Sequence, residues 1–475
     1  VSALDVVLRL RAVSSGNAQP RTTMRHRHLD DDPLVVVAYR LAGESAAPLG
    51  LMYGSREADP TLLVAPEPRN RQIRFQEVFN PFAVDLNRYV ADRSATKEAE
   101  RGRPTCQRAP QVLMANSATA EFVGPLLGRS LRYLSTEGDY AVPEDTVVAG
   151  AHLTWLGLQA ELPGSSVILA ATELLRRHWV AGLSDLESED LHVQLAWIDP
   201  PAGSTGSTAA AAVEDNRFAG VLPAAGPTPD PTWDRDVLDP LVTDFNEQRE
   251  RSDEHGVVTR LGTDIRAAVE AALRPTWEAT WRCRDLVLKL PEAESVTARW
   301  ANDRREFTRH IDRVEAGEAR FRVRDNVKQT AFMVSQREAA QSALESNEAL
   351  DDPLVLAAAI GDGQAIAGTV TRVDKPIVEI ELSGPCPVPL GTELFWTNMR
   401  GGNCSVVVTA TTSDVPFTAV LTTRKGKTKY YPVVGERAAY APFKDAYMPS
   451  PSMPIDVPWT HQGPEAPLPV PEVPE

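Results

Sequence analysis

The strongest constraint on this chain is a change of hydrophobic period at Asp351-Asp352-Pro353. Upstream, apolar residues recur every three or four positions, the spacing of one helix face. Downstream, short β-rich runs separated by turn residues take over. A proline drives the preceding residue out of the helical region of backbone space, so a helix must end here. One bundle or one sheet cannot satisfy both periods, and 475 residues are enough for several cores. The expectation is an α+β multidomain protein.

Residues 233–352 form the upstream helical region. Ile265, Val269, Ala272 and Leu273 share a helix face, and Trp277 and Trp281 lie four apart after Pro275. Trp300, Phe307, Ile311, Val314 and Phe321 recur at close to heptad spacing and read as a long stalk or antiparallel hairpin. Residues 353–446 open with a short helix, Leu354–Ile360. Six β-rich runs follow, at 364–373, 376–382, 391–398, 403–410, 417–423 and 428–434. Strands of this length, with turns such as Asp374-Lys375-Pro376 and Arg400-Gly401-Gly402-Asn403, predict a small antiparallel β-barrel.

Residues 1–198 read as a mixed α/β domain. Leu4, Val6, Leu8 and Leu10 alternate with more polar neighbours, which predicts a half-buried strand. Leu34–Tyr39 and Leu62–Ala65 are further strands. Segments 118–134, 147–161 and 166–181 read as helices. Between this domain and the helical region, residues 199–231 hold six Pro, four Gly and eight Ala. Residues 199–232 are therefore read as a flexible linker. Residues 447–475, with nine prolines, read as a disordered tail.

No apolar run reaches the length a membrane helix needs, so no membrane partner is expected. The first residues show no basic and apolar leader pattern. Cys106, Cys283, Cys386 and Cys404 have no C-x-x-C spacing, so the expectation is reduced thiols in a cytoplasmic protein, with no metal and no cofactor.

The phosphate-binding motifs fail on inspection. Gly361-Asp362-Gly363 lacks the third glycine of a dinucleotide turn, where Ile366 stands, and reads as a helix-to-strand loop. Gly426-Lys427-Thr428 has Leu421 in place of the earlier P-loop glycine and lies between strands. His26 and His28 beside Asp30, Asp31 and Asp32 are metal-ligand types without a third fixed position, and read as a solvated polar loop. His310, on a highly charged helix, is expected to be exposed. No G-x-S-x-G nucleophile turn occurs. Asp185, Glu187, Glu189 and Asp190 read as a solvated acidic loop.

Charge supplies the functional lead. The chain carries a net −16, yet Pro353–Tyr447 has nine basic and eight acidic residues. Within Val415–Tyr440, Arg424, Lys425, Lys427, Lys429 and Arg437 face Glu436 alone. Tyr430 and Tyr431 follow directly, and Trp396 and Arg400 lie on an earlier strand and turn. Cations track a phosphate backbone, and aromatic rings stack on unpaired bases. A solubilising hairpin tip that guards a sheet edge, or a protein-contact surface, uses the same residues.

Residues 296–440 run from long charged helices through Leu354–Ile360, Ile366–Val373, Ile377–Leu382 and Pro389–Leu394. This order resembles the helical stalk and accessory β-barrel of superfamily 1 helicases of the RNA-decay and DNA-end-processing kind. The helicase ATPase motifs are absent. The resemblance implies a barrel that contacts single-stranded nucleic acid and helices that dock a helicase or nuclease subunit. The resulting expectation is a non-catalytic accessory protein, with Arg424, Lys425, Lys427, Lys429, Tyr430, Tyr431, Trp396 and Arg400 as its nucleic-acid-binding residues. The alternatives are a protein-interaction scaffold, motivated by the acidic body and Pro-rich tail, and an enzyme with an unrecognised site in 1–198.

Overall fold

The computed structural model describes residues 2–41, 47–100, 102–251, 255–319, 326–398, 404–428 and 430–443, with the backbone alone at 255–259, 404 and 424–428. The Pro-rich tail lies outside the described residues.

The chain opens with a helix, α1 (Ala3–Ser15), where alternation predicted a strand. Ser2 accepts the Asp5 N–H, and Asp5 reaches back to the Ser2 N–H, a reciprocal cap that satisfies helix-end donors. Leu8 and Ala12, four apart, are buried, while Val6 and Leu10 face solvent.

A five-stranded mixed sheet follows, built from β1 (Leu34–Arg40), β2 (Pro48–Gly54), β3 (Thr61–Val64), β4 (Val112–Met114) and β5 (Ile168–Ala170) in the spatial order β3-β2-β1-β4-β5. The segment read as one helix over 166–181 is thus β5 followed by a helix, Ala171–His178. β1 pairs antiparallel with β2 and parallel with β4. Every residue from Leu34 to Tyr39 is buried, as expected of a strand covered on both faces.

Successive side chains of a strand point to opposite faces, and β1 divides its residues accordingly. Val36 and Ala38 join a core with Phe82 and Leu86 of Asn80–Ser94 and with Leu153 and Leu156 of Glu144–Ala160. Phe307 and Ile311 of the long helix Glu294–Glu315 complete that core. Trp300, Phe307 and Ile311 of the stripe that read as a heptad seam therefore pack against the sheet's helical cover, and Phe321 lies outside the described residues. Val35, Val37 and Tyr39 join the opposite core with Val269, Leu273, Trp277 and Trp281 of His255–Leu288. Residues of 1–198 and of 233–352 thus share both cores.

The stretch 199–232, read as a flexible linker, contains a helix, Gly206–Phe218, and a segment tied to the sheet. Arg40 N donates to Pro227 O at 2.7 Å, the Tyr39 hydroxyl donates to Ala224 O at 2.7 Å, and Asn116 Nδ2 donates to Gly226 O at 2.8 Å. Gly226 has φ +74°, and a Cβ there would stand 2.5 Å from Ala38 O. Its missing side chain permits this approach.

Asp352, at the predicted change of period, follows Val327–Asp351 and caps the next helix, Pro353–Gly361, by accepting the Leu354 N–H at 2.9 Å. Glu294–Glu315 and Val327–Asp351 lie as a hairpin: Ser295 N, near the start of the first, donates to Asp351 at the end of the second. The final strands are β6 (Ile366–Asp374), β7 (Ile377–Leu382), β8 (Glu393–Trp396), β9 (Cys404–Thr411), β10 (Thr418–Thr428) and β11 (Arg437–Ala441). They close an antiparallel barrel in the order β6-β7-β10-β9-β8-β11. Val370, Ile380, Leu394, Val408, Leu421 and Tyr440 are among the side chains that fill it. The run expected at 428–434 is displaced: β10 continues to Thr428, and the sixth strand begins at Arg437, after Pro432 and a left-handed Gly435. Among the described residues no helix is long and apolar enough to cross a membrane.

Candidate nucleic-acid interface and a buried ionic centre

The basic strand β10 is built by register. Its last pair with β7 is Thr422 with Ile377, yet its pairing with β9 continues to Thr428 opposite Cys404. Thr423 N donates to Pro376 O at 2.8 Å, so β10 passes the β6–β7 turn and runs on through Arg424, Lys425 and Lys427. Arg400 and Lys429 lie outside the described residues.

The aromatic residues occupy different environments. Tyr430 is exposed. Tyr431 packs on the barrel core, and its hydroxyl is 3.0 Å from Thr423 Oγ1. Trp396 is enclosed within the barrel core and only 6% exposed, which leaves its ring faces to packing. Sequence reasoning did not single out Lys375 as a site residue. Its ammonium lies 4.8 Å from the Tyr431 ring centroid, within cation–π range. The structure therefore brings Lys375, Thr423 and Tyr431 together where β10 leaves the wall. Its position in the Asp374-Lys375-Pro376 turn was the available sequence signal.

A second polar assembly forms where the sequence predicted a solvated loop. His26 is fully buried, with Nε2 3.5 Å from Asp352 Oδ2. Burial raises the Asp352 carboxyl, but His26 and donors from Thr23 and Leu354 outweigh burial and hold it near about 2. Thr23 N donates to Asp352 Oδ2 at 2.6 Å. His28 stacks on Trp300 with ring centroids 4.2 Å apart. Asp30 instead pairs with Arg108 at 3.0 Å. These partners come from distant parts of the chain, which is why a local reading missed them.

Around His26 lie Arg27, Arg177, Arg299, Asp303 and Glu348. Arg177 Nη1 is 2.6 Å from Glu348 Oε1, and Arg299 Nη2 donates to His26 O at 2.9 Å. Asp303 Oδ2 accepts from Ser166 N at 2.8 Å. Burial pushes the Asp303 carboxyl up to about 7 despite that bond and the nearby Arg27 and Arg299. Burial, with Arg177 beside it, brings the Arg27 guanidinium down to about 9.

His310, expected on an exposed face, is buried against Trp155, with rings 4.9 Å apart and nearly parallel. Its Nε2 lies 2.9 Å from His152 Nδ1. His310 shares the inward side of this helix with Phe307, Ile311 and one charged residue, Asp303. In the acidic loop, Asp190 is engaged rather than solvated: it caps Leu191–Ile198 and pairs with Arg217. Gly361-Asp362-Gly363 forms the expected helix-to-strand turn, with Gly363 at φ +76°. Cys106, Cys283 and Cys386 are free thiols. Among the described residues no group of three or more His, Cys, Asp or Glu is placed to hold a metal ion.

No family model matches the chain, and neither a curated protein nor a solved structure gives a match.

Proposed function

We propose that this protein is a non-catalytic accessory component of a nucleic-acid-processing system, in which the C-terminal barrel holds a single strand and the helical body docks a helicase or nuclease. The observation that supports this reading is the overrun of β10. It carries Arg424, Lys425 and Lys427 on beyond Thr423, the residue that meets Tyr431, itself under Lys375, in a chain of net charge −16. Cations on an extended strand match the repeat of a phosphate backbone, and the exposed Tyr430 offers a ring to an unpaired base.

Fluorescence anisotropy of a labelled oligonucleotide, titrated with the intact protein across a salt series, tests it. Binding should weaken as salt rises. Replacing Lys425, Lys427 and Lys429 together by Gln should lower the log–log salt slope by about 2, at about 0.7 for each phosphate no longer neutralised. Absence of binding at low salt, or an unchanged slope in the triple variant, overturns the reading.

A further inference from the structure

A cleft of about 640 Å³ lies along β5, an edge strand of the five-stranded sheet. Much of its wall is apolar, from Ile168 and Leu169 on β5, Leu174 on the following helix, and Pro125. Arg27 stands in the same wall.

Arg27 is 8% exposed. Its Nη1 donates to His26 O at 3.2 Å, and it forms no ion pair among the described residues. Of the carboxylates that line the cleft or neighbour Arg27, Glu121 is exposed to solvent and the others are committed elsewhere. Glu348 is paired with Arg177 at 2.6 Å, Glu173 with Arg176 at 3.0 Å, and Glu161 with Arg337. Asp303, also near Arg27, accepts from Ser166 and sits in surroundings that disfavour its charge. A guanidinium is thus held out of water without a carboxylate of its own, at the wall of a cavity large enough for a small molecule.

We propose that this cleft is a binding site for a small organic monoanion, a carboxylate with an apolar body. Its head group lies on Arg27 and its body runs along Ile168 and Leu174. The planar guanidinium fork matches the two oxygens of a carboxylate. One uncommitted buried cation balances one negative charge, and the apolar stretch of the wall along Ile168 and Leu174 suits a hydrocarbon body, while the exposed Glu121 and Arg129 stand elsewhere in the lining. This site is separate from the barrel, so its test does not depend on nucleic-acid binding.

Calorimetric titration of the full chain with sodium octanoate, 1-octanol and inorganic phosphate provides the test. Octanoate should bind, octanol should bind at least about tenfold more weakly, and phosphate should not compete. Arg27→Gln should weaken octanoate about tenfold and leave octanol unchanged. Ala160→Trp, at an exposed position lining the cleft, should weaken both by filling it. This variant keeps the proposal testable should Arg27→Gln fail to fold. The proposal is overturned if the native chain does not bind octanoate, if phosphate displaces it, if Arg27→Gln binds it equally, or if the filled cleft binds it undiminished.

Discussion

Acidification should destabilise this fold through its buried histidines, and His310→Gln isolates one of them. His152 and His310 share a hydrogen bond of 2.9 Å inside the core, so one ring donates and the other accepts with both neutral. Burial pushes His152 down to about 4, and burial, His152 and Arg313 together push His310 further below its ordinary value. In the unfolded chain both rings protonate near pH 6.5. The unfolded state therefore binds more protons as pH falls through 6.5, and stability present above that pH is lost toward pH 4. Between pH 7.5 and 5.5 each such ring removes about 1.4 kcal/mol. His178, also pushed by burial to about 4, contributes equally.

Asp303 acts in the opposite sense. Its folded carboxyl, raised to about 7, takes up its proton over this same interval and restores about 2 kcal/mol. The net loss from these four groups is about 2 kcal/mol, a substantial part of a typical folding free energy of about 5–15 kcal/mol. Urea unfolding at pH 7.5 and pH 5.5 measures it. In His310→Gln the difference between the two pH values should move by about 1.4 kcal/mol toward stabilisation at the lower pH. The packing cost of the substitution cancels because each variant is compared with itself. An unchanged pH difference would refute the assignment of His310 as a neutral, buried group.

Other outcomes follow from the geometry described. Gly226→Ala should cost about 2–4 kcal/mol in urea unfolding, because a left-handed backbone and the Ala38 carbonyl both oppose a Cβ; a loss below about 0.5 kcal/mol would show that the segment moves aside freely. Asp352→Ala should cost about 3 kcal/mol by stranding the Thr23 and Leu354 donors. Since the Asp352 carboxyl is held near about 2, its contribution is present above about pH 4 and lost as pH falls through that lower value, so wild type and variant should converge in strong acid. Residues 1–232 expressed alone should expose the face bearing Val35, Val37 and Tyr39 and bind a hydrophobic dye; a cooperative, dye-silent fragment would contradict the shared cores.

Legibility followed the range of the interactions. The barrel was readable because period-two runs and glycine or proline turns are local signals, and β1 was readable from Leu34–Tyr39. The Trp277 and Trp281 helix was readable for the same reason. At Ala3–Ser15 the residues Leu4, Val6, Leu8 and Leu10 fit period two, while Leu8 and Ala12 also fit a helix; Ser2 and Asp5 at capping-box spacing decide it. The ionic centre was not legible. His26 and Arg27 sit in a run of charges that reads as solvated, whereas the groups that meet His26 in the core, Asp352 and Arg299, come from far along the chain. Of the cationic candidate site, the charges were visible in sequence, but the continuation of β10 through Arg424–Thr428, where the sequence read a break between two strands, the enclosure of Trp396 and the placement of Lys375 over Tyr431 depend on how the barrel closes.

The link from Thr23 to Asp352 joins residues 329 positions apart. A ribosome delivers the amino end first, so Thr23 must wait for a further 329 residues to be synthesised before its carboxylate partner emerges. Until His255–Leu288 emerges, well after the last strand of the sheet, the sheet's second face also lacks its cover. Assembly of this molecule is therefore expected to be late and concerted, with the growing chain dependent on protection from aggregation during translation.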